Sequence, residues 1–389
     1  MFSKDSVIGV IGSGAMGAGI AQVASTAGHI VYVYDNSAKS LEKAQSNLKS
    51  SLTKLVEKQK ISVELSQSIS KNINFVPDLN SFSKCGLVIE AIAENLEVKQ
   101  KVFSDLEKIV SADCVLATNT SSLSITSIAS ACTKPERVLG IHFFNPATIM
   151  PLVEIIPGIA TQQSLIGNVK KLIDGWGKVT VIAKDTPGFI VNRVARPFYS
   201  EALRIYEEGI ADIPTIDWAM KEFGGFKMGP FELMDLIGHD VNYVVTETVW
   251  KQFYFDPRFK PALSQKRLLE AGFLGKKSGK GFYNYAEGTT LLEPDRNTAI
   301  GKLVFTRVLA MLINEAVDSL YYKIASKEDL DLAMTKGVNY PKGLLKWADE
   351  IGPENILQTM MVLYDLYQED RYRPSVLLKQ MVLQNKGFY

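Results

Sequence analysis

Apolar residues in the first half of the chain gather into short β-branched runs separated by helical stretches, at 7–11, 30–34, 87–89, 115–118, 138–142 and 179–182. Such runs, alternating with helices, predict a doubly wound and mostly parallel sheet. Between 35 and 75 the pattern changes. Leu41, Ala44, Leu48, Leu52, Leu55 and Val56 recur at helical spacing, so helices over 41–60 and 63–71 should form an arm interrupting the strand-helix alternation. Thr186-Pro187-Gly188 punctuates the end of this region. From Phe189 onward strand signals give way to long helical periodicity, and the second half should be all helix.

That second half repeats itself at a shift of 114 residues. Arg193 meets Arg307, Glu201-Ala202 meets Glu315-Ala316, Asp217 meets Asp331, Gly229 meets Gly343, and Asp235 meets Asp349. Both copies close on Gly-Phe-Tyr, at Gly281 and Gly387. Two copies indicate a duplicated helical module rather than a solenoid, which needs three or more units. The expected boundaries are 1–186 for the sheet domain, 187–287 for the first helical domain and 297–389 for the second, with 288–297 as the linker.

Composition narrows the class. A chain of 389 residues with 46% hydrophobic content suits two or three globular domains. Lys and Arg total 43 against 42 for Asp and Glu, which leaves no field strong enough to argue for nucleic acid or an anionic membrane as partner. Residues 1–5 run straight into an apolar strand without a basic leader, and no segment reaches the roughly 20 apolar residues of a membrane span, so a cytoplasmic location is expected. Cys85, Cys114 and Cys132 have no metal-ligand spacing and read as buried free thiols, so no metal site is expected.

The first strand runs into Gly12-Ser13-Gly14-Ala15-Met16-Gly17, and a helix of small residues follows. Gly12 permits the tight turn, Gly14 lets backbone approach a pyrophosphate, Gly17 allows close packing of helix on strand, and the helix N-terminus offers amide donors through Ala15 and Met16. The second strand ends in Asp35, eighteen residues after Gly17, where an acid can accept ribose hydroxyls and repel a 2′-phosphate. NAD is favoured over NADP, although Lys39 lies close to Asp35 in sequence. The domain is Rossmann-like.

Only three histidines are available for proton chemistry. His142 stands in His142-Phe143-Phe144-Asn145-Pro146, and Glu154 lies twelve residues on, within an apolar run that can fold back across the turn. A carboxylate on the far imidazole nitrogen would fix the tautomer and stabilise the imidazolium, the arrangement a base needs to take a proton from an alcohol losing hydride. A satisfied structural histidine is the bland alternative. His29 and His239 read as structural, since neither has a carboxylate placed in the same way, although Asp240 adjoins the second. Asn119-Thr120-Ser121-Ser122 follows a strand at its carboxyl end, where Ser121 and Ser122 can meet a ligand or equally cap a helix. Asn192, at the domain junction, can reach a substrate or cap the first helix of the second half.

These strings, with Glu90 to Lys99 and Gly229-Pro230-Phe231-Glu232-Leu233, resemble the L-3-hydroxyacyl-CoA dehydrogenase family over nearly the whole chain. The resemblance implies that His142 is the base, Glu154 its partner, and that Ser121 and Asn192 contact the substrate oxygen. It implies further that Asp35, Glu94, Lys99 and Asn119 help to hold NAD, and that Lys43, Lys49 and Lys54 on the helical arm are candidates for the phosphates of an acyl-CoA substrate. Long members of that family carry two helical modules where short ones pair as dimers. Thr306 replaces Asn192 in the second copy, so 297–389 is expected to stand in for a partner subunit as an intrachain pseudo-dimer, the whole chain being a monomer or a homodimer. A dehydrogenase of free hydroxy or sugar acids, or an NAD-binding structural protein, are the alternatives on the same scaffold.

Overall fold

The computed structural model describes all residues except Met1 and Leu291, the latter within the expected linker. The chain divides into two compact units, Met1–Thr186 and Pro187–Tyr389.

In the first unit the strands are β1 (Val7–Ile11), β2 (Val31–Tyr34), β3 (Ile73–Val76), β4 (Cys85–Glu90), β5 (Val115–Thr118), β6 (Val138–Phe143), β7 (Leu152–Pro157) and β8 (Val179–Ile182). The helices are α1 (Ala15–Thr26), α2 (Ala38–Glu57), α3 (Val63–Asn72), α4 (Leu96–Glu107), α5 (Ile125–Ala129) and α6 (Gln163–Gly175). The strands form one sheet in the order β3-β2-β1-β4-β5-β6-β7-β8. All neighbours are parallel except β6 and β7. The arm is present as α2 and α3, amphipathic helices with Ser37 and Ser62 as N-caps.

Two strands stand outside the six β-branched runs. β3 follows the arm directly, and β7 is the apolar run that carries Glu154. β7 is buried on both faces, which removes the alternation that marks a strand with one face in water.

Side chains alternate across the sheet. Ile8, Val10, Leu87, Ile89, Val115, Ala117, Ile141, Phe143, Val153 and Ile155 join one apolar cluster with α1 and α6. Ile11, Val88, Leu116 and Val138 join a second cluster with Phe103 and Leu106 of α4 and Ile128 of α5. By the same alternation Glu90, Thr118, His142 and Glu154 project to the α4 and α5 face. Cys85 and Cys114 lie buried there, and burial pushes both thiols up to about 12. Cys132 is pushed up to about 11, also by burial.

The second unit is helical: α7 (Val191–Val194), α8 (Arg196–Glu207), α9 (Ile213–Gly224), α10 (Pro230–Ile237), α11 (His239–Gln252) and α12 (Leu263–Glu270), then α13 (Thr298–Tyr321), α14 (Lys327–Gly337), α15 (Leu344–Ile351), α16 (Pro353–Tyr367) and α17 (Val376–Leu383). The starts of α9, α10 and α11 recur 114 residues later as those of α14, α15 and α16. The single helix α13 replaces the broken pair α7 and α8.

The matched residues do more than pack. Asp217 accepts Phe231 N and Glu232 N at the start of α10, and Asp331 accepts Leu345 N and Lys346 N at the start of α15. Asp235 takes the amides of Phe282 and Tyr283, as Asp349 takes those of Phe388 and Tyr389. A Cβ at Gly229 would lie 2.3 Å from the Asp217 Cβ, and the same crowding holds for Gly343 against Asp331, which explains both glycines.

Across the two modules Arg193 Nε donates to Glu315 Oε1 at 2.6 Å, and Arg307 Nε donates to Glu201 Oε1 at 2.6 Å. Each copy therefore grips the other through an exchanged, buried ion pair. Buried charges of this kind add little against apolar replacements, but losing one partner strands the other.

Glu315→Ala is expected to destabilise the chain by about 3–5 kcal/mol in urea unfolding, because it leaves Arg193 buried and unpaired. A smaller loss, below about 1 kcal/mol, would mean that the exchanged pair holds nothing together. The thiols should resist a thiol-reactive dye at pH 8 in the native protein and react on unfolding; labelling of the native chain would contradict their burial.

Candidate active site

The nucleotide fingerprint forms a tight turn between β1 and α1. Gly12 takes φ +96°, and a Cβ there would stand 2.4 Å from the Ala91 carbonyl oxygen. Gly17 packs so closely that a Cβ would come within 1.8 Å of the Gly12 carbonyl oxygen. Gly14 is different: no atom lies within 4 Å of where its Cβ would be. It is the N-cap of α1, with Ala15 and Met16 in the first turn, whose amides have no acceptor within the helix. An open approach to unpaired helix amides suits the diphosphate of a dinucleotide.

A cleft of about 380 Å³ opens beside this turn, lined by Gly12, Gly14, Asp35, Asn36, Ala91 and Ile92 among others. It lies between the ends of β1 and β4, where strand order reverses and open α/β sheets bind ligands. Asp35 Oδ2 accepts the amide and the hydroxyl of Ser13, both at 2.8 Å, and Oδ1 accepts Ser37 N at 3.1 Å. The residues present therefore fit NAD: a glycine cradle, helix amides and an acid at the cleft.

His142 and Glu154 are directly opposed in the antiparallel register of β6 and β7. His142 Nδ1 lies 2.7 Å from Glu154 Oε2, with side-chain exposures of 7% and 1%, so the pair is shielded from water. Cross-strand partners sit on one face at short range, which is why two residues twelve apart in sequence meet without any loop adjustment. The His142 ring also packs on Phe144, 4.5 Å between centroids.

A second polar cluster stands at the ends of β4 and β5. Glu90 is fully buried and accepts Lys99 Nζ at 2.6 Å, Ile92 N at 2.7 Å and the Thr118 hydroxyl at 2.7 Å. Glu90 and Thr118 had no role in the sequence expectation; the visible signal is an acid closing an apolar strand nine residues before a lysine. Glu94 Oε1 accepts the Thr120 hydroxyl at 2.5 Å, Ser121 N at 3.0 Å, and Ser122 N and Oγ at 3.2 and 3.1 Å. Burial pushes the Glu94 carboxyl up, but the Lys99 ammonium 3.3 Å away and these donors outweigh it and hold it below the usual carboxylate range. Asn119 Oδ1 accepts Phe143 N at 2.8 Å, tying the end of β5 to the residue after His142.

Glu94, Lys99, Asn119 and Ser121 are thus brought together. Lys99 itself is 1% exposed and fully engaged by carboxylates. Neither Ser121 nor Ser122 caps a helix, since Ser124 is the N-cap of α5. Asn192 lies inside α7, whose N-cap is Ile190, so it does not cap that helix. Between Gly188 and Leu203 it is the one residue that is not buried.

Lys43, Lys49 and Lys54 are all exposed on α2. Lys43 and Lys54 share one side of the helix, and Lys49 is turned about 120° away, so the three do not form one phosphate cradle. His239 does meet a carboxylate, Asp235 rather than the adjoining Asp240: Asp235 Oδ1 stands 2.9 Å from its Nε2. Both side chains are fully buried, and Asp235 also holds two amides and the Tyr285 hydroxyl, so this pair serves the module's closing turn. His29 faces the Ser6 carbonyl at 3.0 Å and Trp176. No helix among the described residues is long and apolar enough to cross a membrane, and no cluster of metal-ligating side chains occurs among them.

Comparison with known proteins gives a consistent picture. The family described as "3-hydroxyacyl-CoA dehydrogenase, NAD binding domain" matches residues 7–186. Its counterpart, "3-hydroxyacyl-CoA dehydrogenase, C-terminal domain", matches twice, at 188–285 and 303–387. The chain is 38% identical to the 3-hydroxyadipyl-CoA dehydrogenase of Escherichia coli K12, covering all of both chains. It is 41% identical to the human mitochondrial hydroxyacyl-coenzyme A dehydrogenase over 71% of this chain and 90% of that one. The crystal structure of 3-hydroxybutyryl-CoA dehydrogenase from Escherichia coli K12 superposes with a TM-score of 0.93 at 37% identity, covering 98% of each chain.

The glycines separate two effects. Gly14→Ala should fold normally, because its φ of −63° and open surroundings accept a methyl group, yet weaken NADH binding about tenfold by overfilling the cradle. Gly17→Ala should lose stability as well, since its Cβ would meet backbone. Fluorescence titration with NADH, run beside thermal melting, checks both; unchanged NADH affinity in Gly14→Ala would contradict the cradle.

Proposed function

Because the chain belongs to the 3-hydroxyacyl-CoA dehydrogenase family, NAD-dependent oxidoreductases, we propose that it oxidises an L-3-hydroxyacyl-CoA to the 3-oxoacyl-CoA with His142 and Glu154 as the proton-transfer pair. The observation that carries this reading is the buried 2.7 Å contact between His142 Nδ1 and Glu154 Oε2 at the carboxyl end of β6.

NAD, when bound, supplies the acceptor for the hydride leaving C3. The protein's part is to remove the hydroxyl proton in the same event. With Nδ1 engaged by Glu154, Nε2 is the nitrogen that takes the proton, and the carboxylate stabilises the imidazolium that results. In the reverse direction the same nitrogen returns it. Ser121 and Asn192 hold the C3 oxygen. Gly12, Gly14, Ala15, Met16 and Gly17 hold the diphosphate, and Asp35 the ribose. Glu94 and Asn119 flank the nicotinamide side, and Lys99 acts through the carboxylate of Glu94. Lys43 and Lys54 are the better placed of the three arm lysines to meet CoA phosphates together.

A relative that spans the whole chain is named for 3-hydroxyadipyl-CoA, and we extend the reading to acyl chains of that kind, which end in a carboxylate. We further read 187–287 and 297–389 as paired modules, the second standing in for a partner subunit, in a cytoplasmic enzyme. The exchanged pairs Arg193–Glu315 and Arg307–Glu201 support this pairing.

His142→Gln should cut turnover about 100-fold or more with little change in NADH affinity. Normal turnover in that variant would remove His142 as the base. Glu154→Gln should be similarly damaging and should also alter the pH profile of kcat/KM; an unchanged profile and rate would dissolve the pair. A chain ending at Ala286 should fail to persist as a folded, active monomer, and one that did so would refute the role given to the second module.

A further inference from the structure

The helical unit buries five arginines: Arg193, Arg196, Arg258, Arg307 and Arg371. Four have carboxylates at hand. Arg193 pairs with Glu315, Arg307 with Glu201 and Glu208, Arg258 with Glu315 and Asp318, and Arg371 with Glu369 and Glu208. Arg196, 5% exposed, has no carboxylate partner among the described residues. Its Nη1 donates to the Thr246 hydroxyl at 3.1 Å, and its guanidinium lies over the Tyr199 ring at 4.9 Å. Its Nε is buried without a hydrogen-bond partner.

A second orphan belongs to the same cluster. The Tyr340 hydroxyl is buried without a partner and is among the groups that Arg196 feels electrostatically. Around it the rings of Phe198 and Phe226 stand 5.8 and 5.0 Å from the Tyr340 ring. A cation and a hydroxyl among aromatic rings, with hydrogen-bonding capacity unspent, form a costly arrangement for the protein alone. Burial accordingly pushes the guanidinium pKa down. An anion entering the cluster would relieve that cost.

The duplication supplies an internal comparison. At the repeat positions of Arg196, Tyr199 and Thr246 stand Ala310, Ile313 and Met360, all buried and apolar, and at that of Tyr340 stands Phe226. The fold therefore does not require polar groups at these places. Arg196, Tyr199 and Thr246 stand on the module that keeps Asn192, where the module with Thr306 has apolar residues, and Tyr340 joins their cluster from that second module. Arg196 also follows Asn192 by four residues, about 6 Å along the helix axis and turned by only about 40°. Ala195 joins α7 to α8 with helical backbone angles, so the two side chains leave one nearly continuous helical face.

We propose that Arg196, with Thr246 and Tyr340, receives a carboxylate at the far end of the acyl chain and makes the enzyme selective for CoA esters of 3-hydroxy dicarboxylic acids. The guanidinium offers Nε and an Nη in a fork that matches a carboxylate, and the Tyr340 hydroxyl donates a further hydrogen bond. The assignment rests on the reading that Asn192 meets the oxygen at C3, which sets the distance from the reacting carbon to the arginine. An acyl chain ending in a methyl group would leave the cation unpaired, so the site discriminates by rejection as well as attraction.

The test compares two six-carbon substrates, 3-hydroxyadipyl-CoA and 3-hydroxyhexanoyl-CoA, with the full-length enzyme and NAD. The wild-type protein should favour the carboxylated ester in kcat/KM by about 100-fold or more. In Arg196→Met, which fills the space with an apolar chain, that ratio should fall to about one or below, with the loss on the carboxylated ester appearing mainly in KM. Arg196→Lys should retain part of the preference, and Tyr340→Phe should lower it by about tenfold. If both esters are turned over by the wild type without preference, or if Arg196→Met slows both equally, the carboxylate site is wrong while the dehydrogenase reading stands. If the wild type oxidises neither ester, the dehydrogenase reading itself fails.

Discussion

The antiparallel pairing of β7 on β6 is the constraint from which the candidate site follows. It reverses the direction of an otherwise parallel sheet and sets Glu154 opposite His142 in register, so the two meet as cross-strand neighbours. A slip of one residue would turn Glu154 to the other face. Ile141 and Phe143 on one strand and Val153 and Ile155 on the other anchor the register by burying their side chains in the opposite apolar cluster. Packing on one face of the sheet thereby fixes the imidazole–carboxylate contact on the other. The polar pair is held in register by apolar neighbours on the opposite face.

The same logic extends along the strand ends. Glu90 closes β4, Thr118 closes β5, and the turns after them are held by side chains rather than by further regular structure. Glu94 gathers the amides and hydroxyls of 120–122, and Asn119 reaches across to Phe143 N. Buried Lys99 neutralises both carboxylates. These groups sit at the carboxyl ends of β4 and β5, beside the glycine turn. The helical unit is held by a different device, in which each module sends an arginine into the other and receives one back.

Local pattern sufficed wherever a residue's role depends on its immediate neighbours. The glycine fingerprint, the arm helices, Asp35 after β2 and the 114-residue repeat are of this kind, and the structure places each as expected. β7 and β3 were not legible as strands, because one is buried on both faces and the other is four residues appended to a helix. Glu90 and the partner of His239 were missed for a common reason: each depends on what a carboxylate meets in three dimensions. Arg196 shows the limit most clearly. The repeat matches Arg193 with Arg307 and leaves Arg196 opposite Ala310, but only the distribution of carboxylates in the folded unit shows one arginine paired and the other not.

On the proposed reading, the imidazole at 142, oriented by Glu154, meets the oxygen of the reacting carbon beside the cofactor. A crystal structure of the enzyme with NAD and acetoacetyl-CoA tests it most directly. His142 Nε2 is expected at hydrogen-bonding distance, about 2.6–3.2 Å, from the 3-oxo oxygen, with Nδ1 still on Glu154. An oxygen held by other groups, with the imidazole out of reach, would contradict it.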